Sequence, residues 1–271
     1  MGAERDDAHR FDYPGSDSGG GAGIQADLKT FAAFGVFGTS AITAITAQNT
    51  LRVERADALD PTLVGAQIRA VATDLHPHAA KTGMLANAAI IDTVIACVTE
   101  FNIHPLVVDP VMVASSGDVL LEPEAVVALR SRLLPLADLI TPNLAEAEVL
   151  TGQPVRDESE MRAAAIALVE MGASAALVKG GHLSGDEMVD LLFDGREFHA
   201  LRARRLPADN PHGTGCTLSA AIAAGLARGV SLPLAVSRGV EYVRRAIETA
   251  PGLGRGRGPL NHFPESSPTR E

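Results

Sequence analysis

The sequence predicts an α/β protein built on a central, mostly parallel β-sheet flanked by helices on both faces. Short apolar runs at 106–108, 139–140 and 176–178 alternate with longer segments whose apolar residues recur every three or four positions. Strands of unbroken apolar character need cover on both sides, which is the situation of a parallel sheet between two helical layers. The polar residues Gln48, Asp109, Asn143 and Lys179 stand where such runs stop. In an open α/β sheet, ligands lie outside the carboxyl ends of the strands, so four polar residues at one edge point to a site.

Composition sets the scale. A chain of 271 residues with 46% hydrophobic residues can bury a large core, and no internal repeat or change of composition divides it. The formal charge of -10, from 23 basic and 33 acidic residues, argues against a nucleic-acid surface. Cys97 and Cys216 are the two cysteines, and Cys97 falls in an apolar helical pattern with Ile91, Val94 and Val98, which suits packing rather than a disulfide. The first ten residues are charged without an apolar signal region, and no later run reaches membrane-spanning length, so a soluble cytoplasmic protein is expected. The expected organisation is a mobile tail over 1–14 with an atypical first strand, one domain over 15–264 and a tail over 265–271.

In chain order, the stretch from Gly15 to Gly23 is too rich in glycine for a regular element and runs straight into a helix. Ile24, Leu28 and Phe31 form the apolar stripe of that helix, and Gly35 is placed to end it. Asp27 falls beside the stripe, where a carboxylate needs a partner, for which a ligand would serve. Residues 36–47 read as a strand, 61–71 and 88–101 as helices, and 124–134 as a further helix with Val126, Leu129 and Leu133 on one face. Met161, Ala165 and Leu168 mark another helix, segments around Asp194-Gly195 suggest a hairpin, and Val236, Val240, Val243 and Ile247 mark the last long helix.

The stretch His212-Gly213-Thr214-Gly215-Cys216 joins a loop to a helix carrying Leu218, Ile222 and Leu226. The first N–H groups of a helix have no internal partner, and glycines let an anion approach them, so Gly213, Thr214 and Gly215 form a candidate anion hole. The same position places Cys216 at the positive end of the helix, where a lowered pKa would favour thiolate.

The ordered segments Gly15-Ser16-Asp17-Ser18-Gly19-Gly20-Gly21-Ala22-Gly23, Thr46-Ala47-Gln48-Asn49, Lys81-Thr82-Gly83-Met84, Val108-Asp109-Pro110-Val111, Thr141-Pro142-Asn143, Val178-Lys179-Gly180-Gly181 and His212-Gly213-Thr214-Gly215-Cys216 resemble those of the hydroxymethylpyrimidine/phosphomethylpyrimidine kinases of thiamine biosynthesis. The resemblance runs from about Gly15 to Phe263 and implies a ribokinase-like fold, usually homodimeric. It also implies ATP as phosphoryl donor with Mg2+, phosphorylation of 4-amino-5-hydroxymethyl-2-methylpyrimidine, and a second transfer onto the monophosphate.

Carried over residue by residue, the resemblance gives Gly15, Asp27, Gln48, Met84 and Val111 to the pyrimidine pocket. Cys216 becomes the base or an orienting group, and Lys179 a phosphate contact. Asp109, Asn143 and Glu146 fall around magnesium. The chain departs from the family in its polar, proline-containing segment Arg10-Phe11-Asp12-Tyr13-Pro14, where an apolar first strand is usual. Ser115 stands for a lysine and Pro211 for a threonine. A pyridoxine or pyridoxal kinase of the same superfamily, or a binding protein that has lost catalysis, are the competing readings. Neither a nucleic-acid nor a membrane partner is expected.

Overall fold

The computed structural model describes residues 9–113, 120–181, 187–206 and 212–264. Ser115 and Pro211 lie outside the described residues. The strands are β1 (His9–Tyr13), β2 (Gly15–Asp17), β3 (Phe37–Ser40), β4 (Ala44–Gln48), β5 (Val53–Ala58), β6 (Ala80–Thr82), β7 (Leu106–Val108), β8 (Leu139–Ile140), β9 (Ala176–Lys179), β10 (Glu187–Phe193) and β11 (Phe198–Arg204). The α-helices are α1 (Gly23–Ala33), α2 (Pro61–Leu75), α3 (Ala88–Glu100), α4 (Pro123–Ala128), α5 (Leu144–Thr151), α6 (Glu158–Glu170), α7 (Thr214–Ala227) and α8 (Leu232–Glu248).

Eight strands form one sheet in the order β11-β10-β9-β8-β7-β6-β1-β3. The six from β9 to β3 pair in parallel, and the hairpin β10–β11 adds an antiparallel edge. A second sheet, β2-β4-β5, stands apart from it. Alternation along the strands divides the core in two. Leu106, Val108, Ala176 and Val178 face the layer of α2 to α6, whereas Val107 and Leu177 face α7 and α8. Phe31 of α1 packs on Ala220 and Ala224 of α7, which places α1 on that second face. The parallel sheet with helices on both sides is therefore the architecture observed.

Three stretches differ from expectation, each for a legible reason. Residues His9–Tyr13, expected within a tail carrying an atypical first strand, form β1, which lies between β3 and β6 and pairs with both. Its polar look is an alternation, with Phe11 and Tyr13 fully buried in the larger core and Asp12 directed to the other face. Pro14 follows the last ladder residue and costs the sheet no hydrogen bond. The strand expected over 36–47 is two strands in different sheets, β3 and β4. Between them the Ala41 N–H donates to the Asp12 carbonyl at 2.8 Å and the Thr43 N–H to the Pro14 carbonyl at 3.0 Å, which carries the chain from one sheet to the other. The helix expected over 124–134 begins as α4 but loosens at Leu129–Leu133 into a π-turn and closes in a 3-10 turn containing Pro135. Among the described residues no helix is long and apolar enough to cross a membrane.

If β1 is part of the core, Phe11→Ala should lower the free energy of unfolding by about 3–5 kcal/mol. A chemical-denaturation midpoint equal to that of the unaltered protein would show that residues 9–13 contribute no packing.

Candidate active site

Three loops meet where α1 and α7 begin. The glycine-rich loop after β2 is held by one carboxylate, Asp17. Its Oδ1 accepts from the Gly19 N–H at 2.8 Å, and its Oδ2 accepts from the N–H groups of Gly21 at 3.0 Å and Ala22 at 2.9 Å. The His212 ring approaches the same Oδ2 through Nε2 at 2.9 Å. Burial alone would raise Asp17, but the bonds from His212, Ala22 and Gly19 hold its carboxyl below the ordinary carboxylate range. His212 Nε2 also lies 3.1 Å from the Gln48 side-chain amide. A proton on that nitrogen directed at Asp17 requires the amide oxygen of Gln48, rather than its NH2, to face the ring.

Across this loop, α7 opens at Gly213, whose φ of 89° is left-handed. A side chain at Gly213 would also run into the Gly21 carbonyl, so glycine is required on two counts. Gly213 at the N-cap has no side chain to cap the helix, and Thr214, Gly215 and Cys216, whose N–H groups open it, are each partly exposed. Lys179, at the end of β9, reaches this helix end: a Cβ added to Gly215 would lie 3.3 Å from its Nζ. The ammonium is 3.2 Å from Asp109 Oδ1 and 3.9 Å from Glu146 Oε2. Burial opposes its charge, but Asp109 and Glu146 outweigh burial and raise its pKa.

Asp109, on the loop after β7, is further fixed by Thr141 Oγ1 at 3.3 Å, with the Ser219 hydroxyl 3.3 Å from its other oxygen. Asn143 and Glu146 form a capping box at the start of α5. The Asn143 N–H donates to Glu146 Oε2 at 2.8 Å and the Glu146 N–H to Asn143 Oδ1 at 2.9 Å. Burial, offset by Lys179 and reinforced by Asp109, pushes the Glu146 carboxyl up to about 7. Among the described residues no group of three or more His, Cys, Asp or Glu is gathered to hold a metal ion directly.

The structure thus brings together Gly213, Thr214, Gly215, Lys179, Asp109, Asn143 and Glu146. Gln48 joins them through His212. Gly15 adjoins Met84, whose sulfur would lie 3.1 Å from a Cβ at that glycine, and Val111 is half-buried two residues beyond Asp109. Two of the expected residues have surroundings that the sequence does not announce. Asp27 is fully buried and paired with Lys81, whose Nζ lies 2.9 Å from Asp27 Oδ1. Cys216 accepts from the Gly23 N–H and retains some exposure. Burial, with Asp27 and Asp109 nearby, pushes its thiol up to about 12 despite Lys81, and the helix terminus does not reverse this. Sequence reasoning missed the roles of Asp17, His212 and Lys81. The available signal was a lysine inside an apolar strand, which demands a buried carboxylate.

Comparison with known proteins agrees with this geometry. The family profile of phosphomethylpyrimidine kinase matches residues 17–261. The hydroxymethylpyrimidine/phosphomethylpyrimidine kinase of Rhizobium meliloti is 55% identical over 92% of this chain and 94% of its own length. The crystal structure of a Clostridium difficile phosphomethylpyrimidine kinase superposes with a TM-score of 0.80 at 42% identity, over 89% of this chain and 99% of that one. An ADP complex of Bacillus subtilis pyridoxal kinase superposes with a TM-score of 0.87 at 35% identity, over 94% of this chain and 97% of that one. With its fold and these matches in agreement, the chain belongs to the phosphomethylpyrimidine kinase family of ribokinase-like enzymes.

Proposed function

We propose that the protein transfers the γ-phosphoryl group of ATP to 4-amino-5-hydroxymethyl-2-methylpyrimidine and then phosphorylates the monophosphate, as a step of thiamine biosynthesis. The carrying observation is the uncapped start of α7 beside Lys179 in a chain 55% identical to a kinase of that name. The higher identity to pyrimidine kinases than to the pyridoxal kinase favours the pyrimidine over pyridoxal as substrate.

The hydroxymethyl oxygen forms the new bond to phosphorus while the bond to the ADP oxygen breaks, and charge spreads over the phosphoryl oxygens. The N–H groups of the Gly213-Thr214-Gly215 turn and the Lys179 ammonium answer that charge. Magnesium fits the donor set: it takes one or two carboxylates with substrate phosphates and keeps several waters, and Asp109 and Glu146 offer two carboxylates around Lys179. Asp109 and Glu146 would hold it, largely through water, with Asn143 orienting Glu146. Bound there, the ion would neutralise phosphate charge. Gly15, Gln48, Met84 and Val111 line the acceptor side, and Gln48 presents an amide suited to a ring with donor and acceptor nitrogens.

Cys216, as a thiol, orients the hydroxymethyl oxygen; in a loose transition state that oxygen keeps its proton until late and then passes it to an oxygen of the transferred phosphoryl group. A cytoplasmic homodimer belongs to the same reading, supported by the exposed Ile45 and Leu51 at the small sheet. Sedimentation as a monomer at assay concentration would remove the dimer.

Incubation with ATP, magnesium and the pyrimidine should yield mono- and diphosphate by mass spectrometry; phosphorylation of pyridoxal alone would overturn the assignment. Lys179→Met should lower kcat about a hundredfold or more. Cys216→Ala should cost about a hundredfold, with Cys216→Ser retaining more, and full turnover in the alanine variant would remove Cys216 from the reaction. Because a thiol raised to about 12 is protonated at pH 8, alkylation of Cys216 should run about a hundredfold or more slower than that of free cysteine and rise with pH. A rate like that of free cysteine would restore the thiolate.

A further inference from the structure

Beneath Cys216 lies a group of charges that does not balance as ordinarily written. Asp12 on β1 stands in register with Lys81 on β6, and both side chains leave the sheet on the face that α1 covers. Asp12, Asp27 and Lys81 are all fully buried. Lys81 contacts Asp27 Oδ1, while Asp27 Oδ2 and both oxygens of Asp12 have no partner when the two carboxyls are treated as ions. Two carboxylates and one ammonium would leave a net negative charge with no water around it, at a cost of several kcal/mol. Asp12 and Asp27 nevertheless sit within hydrogen-bonding reach of each other. Ionised carboxylates only accept, so that contact needs a proton.

We propose that Asp12 is carried as the neutral acid, donating its proton to Asp27, and that it thereby positions the Asp27–Lys81 pair under Cys216 and sets the alkaline limit of turnover. One proton satisfies Asp27 Oδ2 and makes the buried group neutral overall. Burial, then the charge of Asp27, raises the Asp12 carboxyl well above its usual range, against the pull of Lys81. The charged and titratable groups that act on it are Asp27 from α1 and Lys81 from β6, with Tyr13 next to it on β1; Asp109 from the loop after β7 and Cys216 from α7 act in turn on Asp27 and Lys81. When Asp12 loses its proton, a negative charge appears behind a pocket that must receive phosphates. Phosphate binding weakens and the Cys216 thiol is raised further. The sign follows from the direction of the shift: a raised carboxyl loses its proton as pH rises, and that loss lowers turnover.

The test compares pH profiles of kcat/KM, each normalised to its own maximum, and rests on the kinase reading above. Asp12→Asn cannot ionise, and its amide still donates to Asp27. Its alkaline limb should move to higher pH by about one unit or more, because the proton whose loss ends turnover is no longer there to lose. A limb that does not move overturns the proposal. Should that variant fail to fold, Asp12→Thr, also neutral and able to donate, carries the same expectation. Infrared spectroscopy of the unaltered protein gives a reading independent of turnover. A protonated carboxyl band should persist at pH 8, above the titration of Glu146, and be absent from the Asp12 variant. If neither protein phosphorylates the pyrimidine, the kinase reading falls while the band still decides the state of Asp12; absence of the band refutes it.

Discussion

The site depends on a lysine that the fold has buried. Lys81 sits in the middle of the sheet with no exposed surface, and Asp27 from α1 is the carboxylate that lets it remain charged. Removing one member of such a pair costs about 3–5 kcal/mol, because the other is left as an isolated charge in a dry interior. The pair therefore ties α1 to β6, and α1 carries on its first residue the N–H that reaches the Cys216 sulfur. The ammonium lowers and the carboxylate raises the pKa of the same thiol, so the floor of the site acts on Cys216 through charge as well as packing.

Above that floor, a second carboxylate does for the backbone what Asp27 does for the lysine. Asp17 gathers three N–H groups of the glycine-rich loop and one imidazole, each from a different residue. Charge-assisted bonds of this kind are shorter and stronger than neutral ones, and here they replace the regular ladder that a loop lacks. His212 belongs to the segment leading into α7, so the Asp17–His212 contact sets the distance between the loop and the helix start. The His212 N–H donates to the Gly258 carbonyl, and the Thr217 hydroxyl meets the His262 ring at 3.2 Å, so the C-terminal segment braces the same turn from behind.

The sheet order was only partly legible in the sequence, and the failures share a cause. Unbroken apolar runs such as 106–108 announce central strands because both faces need cover. β1 does not announce itself, since Asp12 is matched by Lys81 from a strand some seventy residues away, and a compensation at that distance has no local signature. The glycine turn that opens α7 and Lys179 beside it could be singled out from sequence, because glycine spacing and a strand-end lysine are local features. The charge state of Cys216 was not. A helix terminus favours thiolate, but its effect is confined to the first turn and is worth about 0.3–1 kcal/mol, whereas desolvation of a buried group can shift a pKa by several units. Desolvation is decided by packing, which the motif does not encode.

A chain with a net charge of -10 nevertheless offers a seat to a polyphosphate. Charges farther away than about 8–10 Å are largely screened at moderate salt, so the acidic surface contributes little at the bottom of the site. What remains is local: one ammonium and the unpaired N–H groups of a helix start, set against Asp109 and Glu146. Those two carboxylates offset the charge of Lys179 in the empty site, and the upward shift of Glu146 to about 7 lessens the excess negative charge. In the kinase reading, a divalent cation held by Asp109 and Glu146 would free the lysine toward phosphate. The acidic pair would then favour phosphate accompanied by metal over phosphate alone.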